Sequence, residues 1–108
     1  MNKLKLAKKL RNKLDKEWKK TIHARFNNIC VVDGCGKTKY LNAHHILPKE
    51  TYKKYRHDPM NGVLLCPTHH KFGKLSAHKN ALWFVQWLYI HQPNIIYHLL
   101  PLIQDTEN

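Results

Sequence analysis

Leucine and lysine alternate through the first quarter of the chain. Leu6, Leu10, Leu14, Trp18 and Ile22 fall at every fourth position, Ala7 and Phe26 lie near the same stripe, and lysines fill the other faces. A repeat close to 3.6 residues puts such positions on one side of a helix. The pattern predicts an amphipathic helix over 3–26, with Asp15 and Glu17 in reach of Lys19 and Lys20. Beyond it the rhythm shortens. Ile29 to Val32 is strand-like, Asp33-Gly34-Cys35-Gly36 is a tight turn, and Tyr40 to Leu47 is a second strand-like run ended by Pro48. These predict a short hairpin over 29–42. Residues 49–60 read as a polar connection and Gly62 to Leu65 as a brief apolar run. Cys66-Pro67-Thr68 then leads into a helix, with proline in its first turn. Leu82, Trp83, Val85, Trp87, Leu88 and Ile90 return to helical spacing. Pro93 breaks that pattern and starts a last helix bearing Ile96, Leu99, Leu100 and Ile103. This tail reads as packing material, its tryptophans as core rather than as platforms for stacked bases. No repeat, low-complexity stretch or linker divides the chain. One domain is expected over 1–108: a basic helix (1–26), a core (27–80) and C-terminal packing helices (81–108).

Charge changes the picture. The net charge is +12, with 19 Lys and Arg against 7 acids. Residues 1–25 carry +8, residues 26–80 carry +6, and residues 81–108 have no Lys or Arg and two acids. That polarity suits a polyanion better than a small neutral ligand. A basic helix lying on a membrane surface is the weaker alternative. No apolar run has the length of a membrane span, and the first 20 residues have no signal-like apolar stretch. The expectation is a reducing cytoplasm and no membrane partner.

The cysteines and histidines supply the chemistry. Cys30, Cys35, Cys66 and His69 form a Cys-x₄-Cys pair and a Cys-x₂-His pair, a ligand set suited to tetrahedral zinc. Such an ion would clip the hairpin to the start of the later helix and staple a domain whose own core is small. His44, His70 and His78 offer a second, catalytic metal site with open positions. His45 is left to take a proton, at an ordinary pKa suited to a base near neutrality. Two geometric conditions apply. His78 follows His70 by eight residues, about 12 Å along an unbroken helix, so Gly73 and Ser76 must break that helix. Successive residues of a regular strand face opposite ways, so the strand must twist or end near His44 for both histidines to reach one phosphate.

These motifs, in order, resemble the HNH endonucleases of phages and mobile elements. The resemblance runs from Leu14 to Leu88. It rests on Leu14-Asp15-Lys16 with Trp18, Cys30-x₄-Cys35-Gly36, Ala43-His44-His45-Ile46, Arg56-His57-Asp58-Pro59-Met60-Asn61-Gly62, Leu65-Cys66-x₂-His69-His70, and Ala77-His78-Lys79-Asn80 ahead of Trp83-Phe84-x₂-Trp87-Leu88. It implies an α+β fold: a small ββα-metal (His-Me finger) core with a structural zinc, flanked by the basic helix and the C-terminal helices. It implies His44 and His70 as ligands of the catalytic metal, with His78 a further one, His45 as general base, and Asn61 as the residue that fixes the loop and orients the base. The chain departs from many members in having His69 where they carry a thiolate, and Lys74 where their last ligand stands.

The resulting expectation is a nickase-type endonuclease that hydrolyses DNA, double-stranded above all, with structural Zn²⁺ and a catalytic Mg²⁺ or Mn²⁺. Its setting would be the cytoplasm of a bacterial or phage-infected cell. Lys53, Lys54, Arg56 and Lys71 are candidate nucleic-acid contacts. Two rivals stand beside it: a zinc-finger module that binds nucleic acid without cutting, and a structural component of a phage packaging or head complex. Packaging or homo-oligomer partners are unspecified by the sequence.

Overall fold

A computed structural model describes residues 2–105. Helix α1 runs Lys3–Arg25, strand β1 Asn42–His44, strand β2 Val63–Leu65, α2 Ala81–His91 and α3 Pro93–Leu99. Short 3₁₀ turns occupy Lys53–Tyr55 and Leu100–Leu102, and a π-helical turn occupies Thr68–Phe72. Residues 106–108 of the expected C-terminal packing segment lie outside the described residues.

The Asn2 side chain caps α1 by accepting from the Lys5 amide at 2.9 Å. Asn27 and Asn28, both with φ near +57°, turn the chain out of it. The stripe predicted for α1 is buried only in its second half. Trp18 and Ile22 are 4% and 0% exposed, whereas Leu6 and Leu10 are 58% and 56% exposed. The first turns therefore extend past the body as a lysine-clad arm. Asp15 does not serve Lys19 but pairs with Arg56 and His57 across the fold.

The strand pairing differs from the expected hairpin. β1 pairs antiparallel with β2, with Ala43 opposite Leu64. The segment around Cys30 forms a knuckle instead, closed by Cys30 N–H to Lys37 C=O at 2.9 Å and tied to β2 by Val31 N–H to Leu64 C=O at 2.9 Å. Gly34 and Gly36, at φ +77° and +69°, supply its left-handed corners. Cβ-bearing strands fit poorly around two such corners, so pairing passes to the next apolar run.

All three residues of β2 are fully buried, and they divide the core between two sides. Leu64 faces Trp18 and Ile22 of α1. Val63 and Leu65 face Phe84, Trp87, Leu88, Ile95 and Leu99. Gly62 lets α1 come this close: a Cβ there would stand 2.5 Å from the Trp18 ring. The tail packs through a narrower face than its spacing predicted, because Leu82, Val85 and Ile90 are 83%, 55% and 60% exposed. Trp87 is core as expected, and Trp83 lies half-buried against His69.

After Cys66 no continuous helix follows. The π-helical turn ends at Gly73, whose amide bonds back to the Thr68 carbonyl at 2.8 Å. The chain then doubles back, with Ala77 N–H on His69 C=O at 2.8 Å and His78 N–H on His70 C=O at 3.0 Å.

Candidate metal centres

Two ligand clusters form on either side of the π-helical turn, which presents His69 to one and His70 to the other. In the first, the ligand atoms of Cys30, Cys35, Cys66 and His69 all lie within 4.8 Å of one another. Cys35 Sγ is 3.7 Å from Cys66 Sγ, and His69 Nδ1 is 3.3 Å and 3.6 Å from the sulfurs of Cys66 and Cys30. A tetrahedron with zinc bond lengths near 2.3 Å to sulfur and 2.0–2.1 Å to nitrogen has edges of about 3.8 Å (S···S) and about 3.6 Å (S···N). The four side chains therefore fit zinc. The Trp83 indole stacks over His69, ring planes 24° apart. Burial pushes the Cys30 thiol above its ordinary pKa. A bound cation would reverse that preference and hold the thiolate.

In the second cluster, His44, His70 and His78 bring one nitrogen each within 4.8 Å of the others, with the Nε2 atoms of His70 and His78 3.1 Å apart. The break at Gly73 is what returns His78 to His70, meeting the condition that the eight-residue spacing imposes. His44 and His70 are held neutral at physiological pH. Burial, then the charges of His70, His78 and His45, lowers His44 to about 3; burial, then His78 and Lys71, lowers His70 to about 4. Three converging imidazoles, two of them held neutral by burial, fit a divalent cation.

β1 ends at His44, so strand alternation does not force His45 to the opposite face. Both histidines line one cleft of about 460 Å³, together with His70, His78, Lys49, Glu50 and Lys71. His45 Nε2 lies 2.8 Å from the Arg56 carbonyl oxygen. A carbonyl only accepts, so Nε2 carries the proton and Nδ1 keeps the lone pair. Burial, outweighing the bond to the carbonyl, lowers the His45 pKa below its ordinary value.

Asn61 is fully buried directly behind this loop. Its Oδ1 accepts from the Leu47 amide at 2.7 Å, and its Nδ2 donates to the carbonyls of Leu47 and Tyr55, each at 3.1 Å. It thus ties the end of the His44-His45 segment to the residue next to Arg56.

The basic candidates divide. Lys71 lines the cleft. Lys53 is exposed. Lys54 is exposed and pairs with Asp105 at 3.4 Å. Arg56 is 15% exposed, holds Asp15 through Nε and Nη2, and lines neither part of the cleft. Lys19 and Lys49, expected from the sequence only among the phosphate-contacting lysines of the first helix and of 49–56, line an adjoining part of the cleft with His23, which sequence reasoning did not single out. Nor did it assign a role at the site to Trp18 and Asp15. Their three-residue spacing puts them on one helix face, but the loop they meet lies 40 residues on.

Residues 30–72 match the family model described as HNH endonuclease. That segment carries the Cys₃His cluster, His44, His45, Asn61 and His70. No curated protein and no solved structure gives a significant match to the chain.

Proposed function

Taking residues 30–72 as an HNH endonuclease segment, we propose that the protein is a metal-dependent nickase that hydrolyses phosphodiester bonds of double-stranded DNA, with His45 as general base. One observation carries the reading: a neutral imidazole with its Nδ1 lone pair free shares a cleft with a converging His₃ cluster.

His44, His70 and His78 would hold the divalent cation, Mg²⁺ or Mn²⁺, which when bound draws charge from the scissile phosphate and from the departing 3′ oxygen. His45 Nδ1 takes the proton of the attacking water. The oxygen–phosphorus bond forms as the bond to the 3′ oxygen breaks, that oxygen takes a proton from solvent water, and His45 returns its proton to solvent. The Arg56 carbonyl holds His45 in the tautomer that leaves Nδ1 open. Asn61 fixes both ends of the loop that carries this contact. Zinc at Cys30, Cys35, Cys66 and His69 braces the turn that bears His70.

Lys19, Lys49 and Lys71 at the cleft, with Lys53 and the lysines of α1, supply phosphate contacts. Such contacts position the duplex and carry little sequence information, so the reading includes weak sequence preference and steep salt dependence. No helix among the described residues is long and apolar enough to cross a membrane. Three unpaired thiols and the resemblance to phage-type members support a bacterial or phage-infected cytoplasm as the setting.

The deciding experiment is nicking of supercoiled plasmid with Mg²⁺ or Mn²⁺. Wild type is expected to convert supercoiled to open-circular DNA, and His45→Ala to bind without converting it. A wild type that binds but never nicks under any divalent cation would leave a zinc-braced binding module.

A further inference from the structure

Helix α1 lies outside the matched segment, yet it grips the loop that orients the base. The Asp15 carboxylate receives Arg56 in a fork, Nε to Oδ1 and Nη2 to Oδ2, both at 2.9 Å. His57 Nε2 reaches Oδ1 at 2.7 Å. One turn on, Trp18 Nε1 donates to the Asp58 carbonyl at 2.9 Å, and farther along Arg25 donates to the Pro59 carbonyl at 2.6 Å. The residue whose side chain is clamped is the one whose main-chain carbonyl meets His45.

We propose that Asp15 is a positioning residue for His45: its fork with Arg56 fixes the carbonyl that selects the base's tautomer and ring orientation. The proposal rests on the endonuclease reading above and extends the machinery beyond the matched segment. A bidentate guanidinium–carboxylate pair is planar and removes rotational freedom from both partners. Its side chains are 15% and 25% exposed, so it is less screened than an open surface pair. Arg56 sits at the end of a single 3₁₀ turn, too short to hold its own carbonyl direction. Asp15 lines neither part of the cleft, so its effect reaches the reaction through Arg56.

The test compares Asp15→Asn and Arg56→Lys with His57→Gln in the full zinc-loaded chain. Arg56→Lys keeps the carbonyl and the charge but loses the fork. His57→Gln removes the contact of Asp15 that does not lead to His45. Two quantities are read: kcat and KM for plasmid nicking, and the ¹⁵N shifts of the His45 ring nitrogens, which report the tautomer without any turnover. Asp15→Asn and Arg56→Lys are expected to lower kcat about 10- to 100-fold, the range for groups that orient a catalytic ligand, with KM within about twofold. His45 should pass from the Nε2–H form to a mixture. His57→Gln should match wild type in both readouts. An unchanged Nε2–H tautomer in Asp15→Asn and Arg56→Lys overturns the proposal, as does an equal loss in His57→Gln. If Asp15→Asn loses amide dispersion, Arg56→Lys decides. If wild type itself fails to nick, the endonuclease reading falls, while the ring-nitrogen shifts still decide whether Asp15 positions His45.

Discussion

The indole of Trp18 lies flat on the imidazole of His45, ring centroids 3.8 Å apart and planes 7° from parallel. Trp18 is 4% exposed and joins Ile22 and Leu64 in the core under α1. The same ring thus closes a hydrophobic cluster and covers one face of the proposed base, which makes stability and activity separable only by graded substitution. Trp18→Ala should cost about 3–5 kcal/mol, as large aromatic truncations in a core do, read as a lower denaturant midpoint. Trp18→Phe keeps a stacking face but loses the 2.9 Å bond to the Asp58 carbonyl. It should stay folded and nick several-fold more slowly.

Gly62 tests the same contact from below. A Cβ there would meet the Trp18 ring at 2.5 Å and Ile22 at 2.9 Å. Gly62→Ala should destabilise by about 1–3 kcal/mol, the usual cost of overpacking, and should lower nicking by pushing the indole off His45. Chemical denaturation beside the plasmid assay checks both. A stable, fully active variant would show that α1 rides freely over β2.

The acid limb of the nicking profile follows from His45. Its native pKa is depressed by burial, and a cation held by the neighbouring His44 would depress it further. The active form is the neutral ring, so activity should hold as pH falls through 6.5 and decline only below that value. Folding has the same sign. His44 and His70 are neutral in the native state down to about 3 and about 4, whereas the unfolded chain protonates them from about 6.5. Their share of stability is present above 6.5 and is lost as pH falls through the native values. A kinetic limb above pH 7 would contradict the buried, neutral base.

His78 and Lys74 compete for the last ligand position. The structure puts His78 beside His70, its Nε2 at 3.1 Å. His78→Ala should raise the Mn²⁺ concentration for half-maximal nicking by at least about tenfold, with Lys74→Ala indistinguishable from wild type. A metal titration of the two variants decides it.

Zinc removal should act on the fold before it acts on the chemistry. Structural zinc contributes about 10–16 kcal/mol of binding free energy in small peptides, as much as the whole net stability of a typical domain, about 5–15 kcal/mol. A strong chelator, or Cys66→Ser at a fully buried position, should abolish cooperative unfolding while α1 keeps part of its helical signal. Circular dichroism with metal analysis reads both effects.

The helices were legible because their evidence is local. Residues 3–26 predicted α1 to within one residue of Lys3–Arg25, and Pro93 marked the start of α3. The convergence of the two Cys/His clusters was also legible, because Cys-x₄-Cys and paired histidines carry their chemistry in their spacing. The sheet was not. The Asn42–His44 run meets Val63–Leu65 rather than the stretch around Ile29, and strand pairing of that sequence separation leaves no mark in either run alone. The half-empty stripe of α1 misled for a related reason: periodicity gives the face of Leu6 and Leu10 but not whether anything lies opposite. Asp15 was assigned to near lysines, since the arginine that claims it is brought there only by the folded loop.

His69 and His70 are consecutive residues, and the π-helical turn sends one to the sulfur cluster and the other to the histidine cluster. One peptide unit therefore links the two clusters, and the reach of two imidazole side chains bounds how far they can part. Insertion of even one residue at that junction should disturb both clusters at once.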